Sequence, residues 1–412
     1  MPRQPKARGN AESHAAHVRS DPLHGRRRPS SSSAVNAPAA QHGRQRRAPA
    51  QTHQRDSWHP AHLHRFDPAS GSWLPLALGH DGPLPAEAPL LAERRTNRLA
   101  ILTYNTWSSA PTHTLAQSRA VLAVVRDARA DVVALQEVTA RFFALMCDEP
   151  WLRTGGWVLT TPDAFWRVAG KGAKHRGKDG ESEACVLLVR QGLLGRGSEL
   201  RMTRLERAKD EGGKAAIALK LFSHGEERVR LASSHFTSLP VNASLRARQY
   251  DTCLSFLSTP APARSGRRPG APLRLFLGDF NASTASELLP LSEPPHTLAD
   301  ACPSAPAIAA HAQPSGAAAA AAAAHAASFA APPTFGHLYP WVTAHARKAR
   351  KPRRIDRVYY AGEGARVRRY EHRGGEQAVE GRRDRTGRGG QSWASDHEAV
   401  RVEVEWGGCT AG

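Results

Sequence analysis

The chain has 412 residues, 40% of them hydrophobic, and carries 57 Lys+Arg against 37 Asp+Glu for a net charge of +20. This composition can bury a substantial core, and the basic excess points to a polyanionic partner. No run of roughly 18 apolar residues exists to cross a bilayer, which excludes a membrane span. The five scattered cysteines (Cys147, Cys185, Cys253, Cys302, Cys409) lack C-x-x-C spacing, which argues against a disulfide framework or a zinc site and for a reducing compartment.

In chain order, residues 1–96 form a basic tail rich in Pro, Ser and Arg without hydrophobic periodicity, and read as mostly disordered. The amino terminus lacks the apolar stretch of a secretory signal, so cytosol or nucleus is expected, with an organellar transit peptide as the alternative. Residues 65–76 are the exception, with Phe66 and Trp73 flanking a turn as in a small docked hairpin. The ordered domain is expected from residue 97 to 408. LAILTYN (99–105) is a strand, LAQSRAVLAVVRDARA has helical spacing, and DVVALQEV is the second strand of a β-α-β opening. Further strands are predicted at 184–190, 215–222, 228–235, 273–279, 355–361 and 398–406, with a helix over 244–257. Consecutive strands mixed with crossovers suggest an α/β layered sandwich. Two low-complexity insertions, an Ala-rich one near 303–332 and an Arg-Gly one near 362–392, read as solvent-exposed loops.

Polar residues that end apolar strands are the informative ones, because a strand terminus is a rigid base for aiming a side chain. Asn105, Glu137, His235, Asp279 with Asn281, Asp356, and Asp396 with His397 all occupy such positions. Singly, each has an ordinary explanation as a turn, cap or solvated residue. Their recurrence along one domain argues for a shared site. TYN, LQEV, SSHFTS, GDFN, RIDRV and SDH, in this order, resemble the signature blocks of the exonuclease-endonuclease-phosphatase superfamily of metal-dependent phosphodiesterases. TYNTW, DVVALQEVT, FFALMCDEPW and the R-x-x-Q pair Arg246 and Gln249 are similar to its tyrosyl-DNA phosphodiesterase 2 branch. The resemblance covers about residues 98–406 apart from the two insertions.

The resemblance implies an α/β fold, a four-layered sandwich of two packed mixed β-sheets flanked by helices. It also implies hydrolysis of a 5′-tyrosyl-DNA phosphodiester in DNA repair, a magnesium cofactor with manganese as the alternative, and an intracellular, nuclear setting. Magnesium takes hard oxygen ligands and few carboxylates. Glu137 is accordingly the candidate direct ligand, and the family analogy adds Asn105 and Asp396 around the ion. Asp279, with Asn281 on the same strand face, would align and deprotonate the attacking water. His235, Asn281 and His397 would stabilise phosphoryl charge, Asp356 would orient His397 and favour its charged form, and Ser238 would add a hydroxyl to the phosphate.

Where that branch reads GDTN with a charged continuation, this chain reads GDFNAS, which puts a contact to the DNA end in doubt at Phe280. The clusters RRR (26–28) and RQRR (44–47) and the Arg-Gly insertion suit DNA ends or other nucleic acid as a partner; a solvated tail is the plainer reading. Protein partners are not indicated. The tryptophans are expected in core or rim packing. Other family substrates, namely RNA, abasic DNA or phosphorylated small molecules, form the enzyme alternative. A noncatalytic nucleic-acid adaptor is the alternative of another class, although it would not need the whole polar set.

Overall fold

The computed structural model describes residues 58–78, 97–110, 113–169, 182–208, 213–260, 271–302, 333–335, 353–375, 378–379 and 392–407. It opens on β1 (His59–Pro60), β2 (Leu63–Asp67) and β3 (Ser72–Leu76). The β2–β3 hairpin turns where the Asp67 carboxylate accepts from the Ser70 hydroxyl at 2.7 Å and Gly71 adopts φ +66.

Next come β4 (Asn97–Asn105), α1 (Leu115–Asp127) and β5 (Val132–Val138). Thr114 and Gln117 close a capping box at the start of α1, satisfying amides that the first turn leaves open. Helices α2 (Ala140–Cys147) and α3 (Pro150–Thr154), β6 (Trp157–Leu159), α4 (Pro162–Ala169) and β7 (Ala184–Arg190) follow. A meander of β8 (Glu199–Leu205), β9 (Lys214–Ser223) and β10 (Glu226–His235) leads to α5 (Ala243–Ser258) and β11 (Leu273–Asp279). The β9–β10 turn places His224 at φ 51 and Gly225 at φ 75, the paired positive φ that a tight hairpin demands. The chain closes with α6 (Leu289–Ser292), β12 (Ala299–Asp300), β13 (Asp356–Ala361), β14 (Arg366–Arg373), β15 (Ala378–Val379), β16 (Ser392–Trp393) and β17 (Ala399–Trp406).

One sheet has seven strands in the order β1-β8-β9-β10-β11-β13-β12, and the other eight in the order β14-β17-β4-β5-β7-β6-β2-β3. Each contains one parallel pair joined by a helix, β4–β5 across α1 and β10–β11 across α5, within otherwise antiparallel ladders. Side chains alternate across each strand. Leu99 and Ile101 of β4 join Leu231, Leu275 and Leu277 between the sheets, whereas Leu102 and Tyr104 pack on Val121, Leu122 and Val125 of α1. On the far side Phe276 of β11 meets Tyr250 and Leu254 of α5. The result is a four-layered α/β sandwich, with β4, β5, β10 and β11 buried on both faces; β4 and β5 carry the longest apolar runs of the four, as central strands require.

Two expectations change. The described residues before 97 hold three strands, not only a hairpin at 65–76, because β1 extends one sheet and β2–β3 the other; the rest of 1–96 lies outside the described residues. Residues 366–373 form β14 rather than a loop: its arginines are offset by acids, Arg366 and Arg368 on Glu405, and Arg369 and Arg373 on Glu371. The Ala-rich 303–332 and the clusters 26–28 and 44–47 lie outside the described residues. No helix among the described residues is long and apolar enough to cross a membrane.

Candidate active site

The two parallel pairs point their carboxyl ends the same way, which brings the polar strand ends together at one edge of the sandwich. Asn105 lies opposite Gln136 in the β4–β5 ladder; His235 lies opposite Asp279, and Asp279 opposite Asp356, across β10, β11 and β13. Close approach of β10 and β11 depends on Gly278, at φ +139, where a Cβ would come within 2.1 Å of the Ser234 carbonyl oxygen. Glu137 departs from the ladder at a register shift between Leu135 and Val138 and adopts φ 55, a conformation rare for a side-chain-bearing residue. The Ser108 hydroxyl pins its carbonyl at 2.5 Å, and the Ser109 hydroxyl donates to Oε2 at 2.9 Å.

Asn105 is the link between the sheets. Its Nδ2 donates to Glu137 Oε1 at 2.9 Å and to Asp279 Oδ2 at 3.1 Å, while its Oδ1 accepts the Trp107 amide at 3.0 Å. Asp279 Oδ1 accepts the Asn281 backbone amide at 2.9 Å. The side-chain Nδ2 of Asn281 donates instead to the Phe236 carbonyl at 3.0 Å, and Asn281 has φ 49. The expectation that Asn281 holds Asp279 from the same strand face is therefore corrected: the contact runs through the backbone of a turn.

The two histidines have opposite surroundings. His397 Nδ1 lies 2.8 Å from Asp356 Oδ2, and its Nε2 3.6 Å from Asp396 Oδ1. Burial works against a charged ring there, but Asp356 and Asp396 prevail and hold it up to about 10. His235 Nδ1 lies 3.5 Å from Lys214 Nζ, and its Nε2 3.7 Å from Asp279 Oδ2 and 3.9 Å from Glu137 Oε1. Burial, with the Lys214 and His397 charges, pulls His235 well below the usual imidazole range. Burial and the nearby Glu183 push Glu137 up to about 8, and burial with Asp356 pushes Asp279 up to about 6.

The donor chemistry of this cluster fits a divalent cation, which would offset the raised carboxyls. Ligand atoms of Glu137, Glu183 and His235 lie within 4.8 Å of one another, as do those of Asp279, Asp356 and His397. Asp356 Oδ1, fully buried, has no hydrogen-bond partner among the described residues. Glu137, Asn105, His235, Asp279, Asp356, Asp396 and His397 thus gather at one place. Asn105 presents its amide nitrogen to the carboxylates, which suits a bridge better than a metal ligand. Ser238 belongs to the loop after β10, where its carbonyl accepts from Asn242 at 2.8 Å.

Glu183 and Lys214 were not among the sequence candidates. Each sits at the beginning of a strand rather than its end, so only the pairing of Ala184 with Val138, and of Lys214 with Leu205, reveals their place. The R-x-x-Q pair braces the interior. Arg246, fully buried, donates to the Thr237 and Leu239 carbonyls at 3.0 and 2.6 Å, and Gln249 accepts the Thr237 amide at 3.0 Å. Phe280 is likewise buried among Phe236, Phe276, Tyr250 and Tyr359.

Residues 102–397 match the Endonuclease/Exonuclease/phosphatase family. The solved structures similar to this chain include truncated TDP2 from Caenorhabditis elegans (16% identity, TM-score 0.49, covering 75% of this chain and 98% of that one). They also include D. rerio TDP2 complexed with single strand DNA product (14%, 0.47, 74% and 98%) and the human Nocturnin catalytic domain with bound sulfate anion (14%, 0.45, 74% and 94%). No curated protein matches the sequence.

Proposed function

We propose that this chain, which belongs to the endonuclease/exonuclease/phosphatase family and is a hydrolase of phosphoric esters, cleaves 5′-tyrosyl-DNA phosphodiesters with magnesium as its ion. The observation that carries the hydrolytic reading is the Asn105 amide joining Glu137 and Asp279 beside the Asp356–His397 pair. The tyrosyl-DNA reading is supported by TYNTW, DVVALQEVT and the R-x-x-Q pair.

Glu137, with Glu183 close by, would hold the ion, which when bound polarises the phosphate and offsets its charge. Asp279, its oxygens held by Asn105 and the Asn281 amide, takes the proton of the attacking water; a carboxyl raised to about 6 is a better base near neutral pH than an ordinary one. His397 offers a charged donor to the phosphoryl oxygens, fixed from behind by Asp356. The Asn281 backbone amide holds Asp279, and its side-chain amide spends one N–H on the Phe236 carbonyl and keeps the second for the phosphoryl oxygens. Basic segments outside the described residues would retain DNA by its backbone charge, and a nuclear location suits that partner.

A second reading, another family substrate, is favoured by the GDFNAS block. Phe280 is a core residue and so offers no contact to a DNA end. The test is a panel of 5′-phosphotyrosyl, 3′-phosphotyrosyl and abasic oligonucleotides, RNA and inositol phosphates, with and without magnesium. Preference for the 5′-phosphotyrosyl end supports the first reading, and preference for any other member replaces it with the second.

A further inference from the structure

We propose that Lys214 fixes the His235 ring with its proton on Nε2, making His235 a neutral hydrogen-bond donor to the phosphoryl group. The inference rests on reading this site as a phosphodiesterase. Lys214 is the first residue of β9 and reaches His235 at the end of the adjacent β10 from the side away from the carboxylates. Its Nζ lies 3.5 Å from Nδ1, whereas Nε2 faces Asp279 and Glu137 at 3.7 and 3.9 Å.

A lysine ammonium has three donors and no acceptor, so Nδ1 must supply the lone pair and the ring proton must reside on Nε2. The partner of one ring nitrogen sets the state of the other. His397 shows the opposite case, because a carboxylate 2.8 Å from its Nδ1 requires a proton there. One site therefore holds two imidazoles of different kind. His397 holds its Nδ1 proton against Asp356; His235, its Nδ1 lone pair taken by the Lys214 ammonium, points its single N–H toward the reacting group. Lys214 acts through His235 and is a positioning residue. Exchanging it for an apolar side chain would free the ring to protonate Nδ1 and turn a lone pair toward the phosphoryl oxygens, an acceptor facing acceptors.

The test combines two readouts on the full chain. Nitrogen-15 spectra of histidine-labelled protein, with the His235 signals assigned by their loss in His235→Gln, report the tautomer. Steady-state kinetics on the hydrolysed member of the substrate panel report kcat and KM separately. The wild type should show the Nε2–H tautomer. Lys214→Met should populate Nδ1–H and lower kcat about tenfold or more, with KM within about twofold. Lys214→Arg, which keeps a donor, should recover kcat to within about threefold of wild type. Retention of the Nε2–H tautomer in Lys214→Met would overturn the proposal, as would a rise in KM at constant kcat, the mark of a charge that merely binds substrate. If no panel member is hydrolysed, the phosphodiesterase reading fails while the spectra still decide the tautomer.

Discussion

Asp279 and His397 must be in opposite protonation states to act, and both are shifted by the same neighbour. Asp279, raised to about 6 by burial and Asp356, serves as a base only when deprotonated, so kcat/KM should climb as pH passes about 6. His397, held up to about 10 against the penalty of burial by Asp356 and Asp396, donates only when protonated, so kcat/KM should fall as pH approaches about 10. A bell-shaped profile results. In Asp356→Asn the carboxylate that raises both groups is gone, so both limbs should move to lower pH; a change of amplitude with fixed limbs would refute the assignment. Asp279→Asn should reduce kcat by about 10²–10⁴ while the circular dichroism spectrum is retained. Glu137→Gln should abolish stimulation by magnesium, measured as the ratio of rates with and without the ion. Most of these side chains were legible as polar ends of apolar strands. The roles of Asn105 and Asn281 were not, because which atom of an amide faces which neighbour depends on backbone turns such as φ 49 at Asn281.

At the level of elements, the site stands on strands held in place by buried polar locks. Asp300 at the β12 edge accepts from both Arg354 and Arg357 at 2.8 Å, and both guanidiniums are fully buried. This clamp ties β12 to β13, the strand that begins with Asp356. Removing the acid leaves two uncompensated buried cations, so Asp300→Ala should destabilise the protein by about 3–5 kcal/mol in denaturant unfolding. Gly278→Ala probes the other support, since the new methyl would drive β11 away from the Ser234 carbonyl and displace Asp279. A shift of about 1 Å can cost about 10²-fold in rate, so kcat should fall by that order with metal affinity affected less. The apolar strands were readable from pattern alone. β14 was not: RVRRYEHR carries its strand character in pairing with β17, where Glu405 lies opposite Arg366, and composition alone made it a loop.

For the whole molecule, the charge of +20 divides unevenly. Residues 1–96 hold 14 Lys+Arg against 7 Asp+Glu, and residues 345–393 hold 15 against 6. Within the second stretch, the β14 arginines already meet Glu371 and Glu405. A deletion aimed at nucleic-acid binding must therefore spare that strand. Removing residues 381–390 together with 1–57 should weaken single-stranded DNA binding and flatten the dependence of log K on log[salt], leaving kcat on a short substrate unchanged; an unaltered salt slope would remove these segments from substrate capture.

The sequence by itself determined the class of fold, the order of the apolar strands and the kinds of group at their ends, because strand burial and strand termination are written in local patterns of polarity. Only the tertiary structure decided which of those groups meet. It brought Glu183 and Lys214 to the site from strand beginnings, committed Phe280, Arg246 and Gln249 to the interior, and set the two histidines against contrary neighbours, Asp356 beside His397 and Lys214 beside His235. Such outcomes depend on distances of a few ångströms between residues far apart in the chain, and electrostatics and hydrogen bonding act at that range.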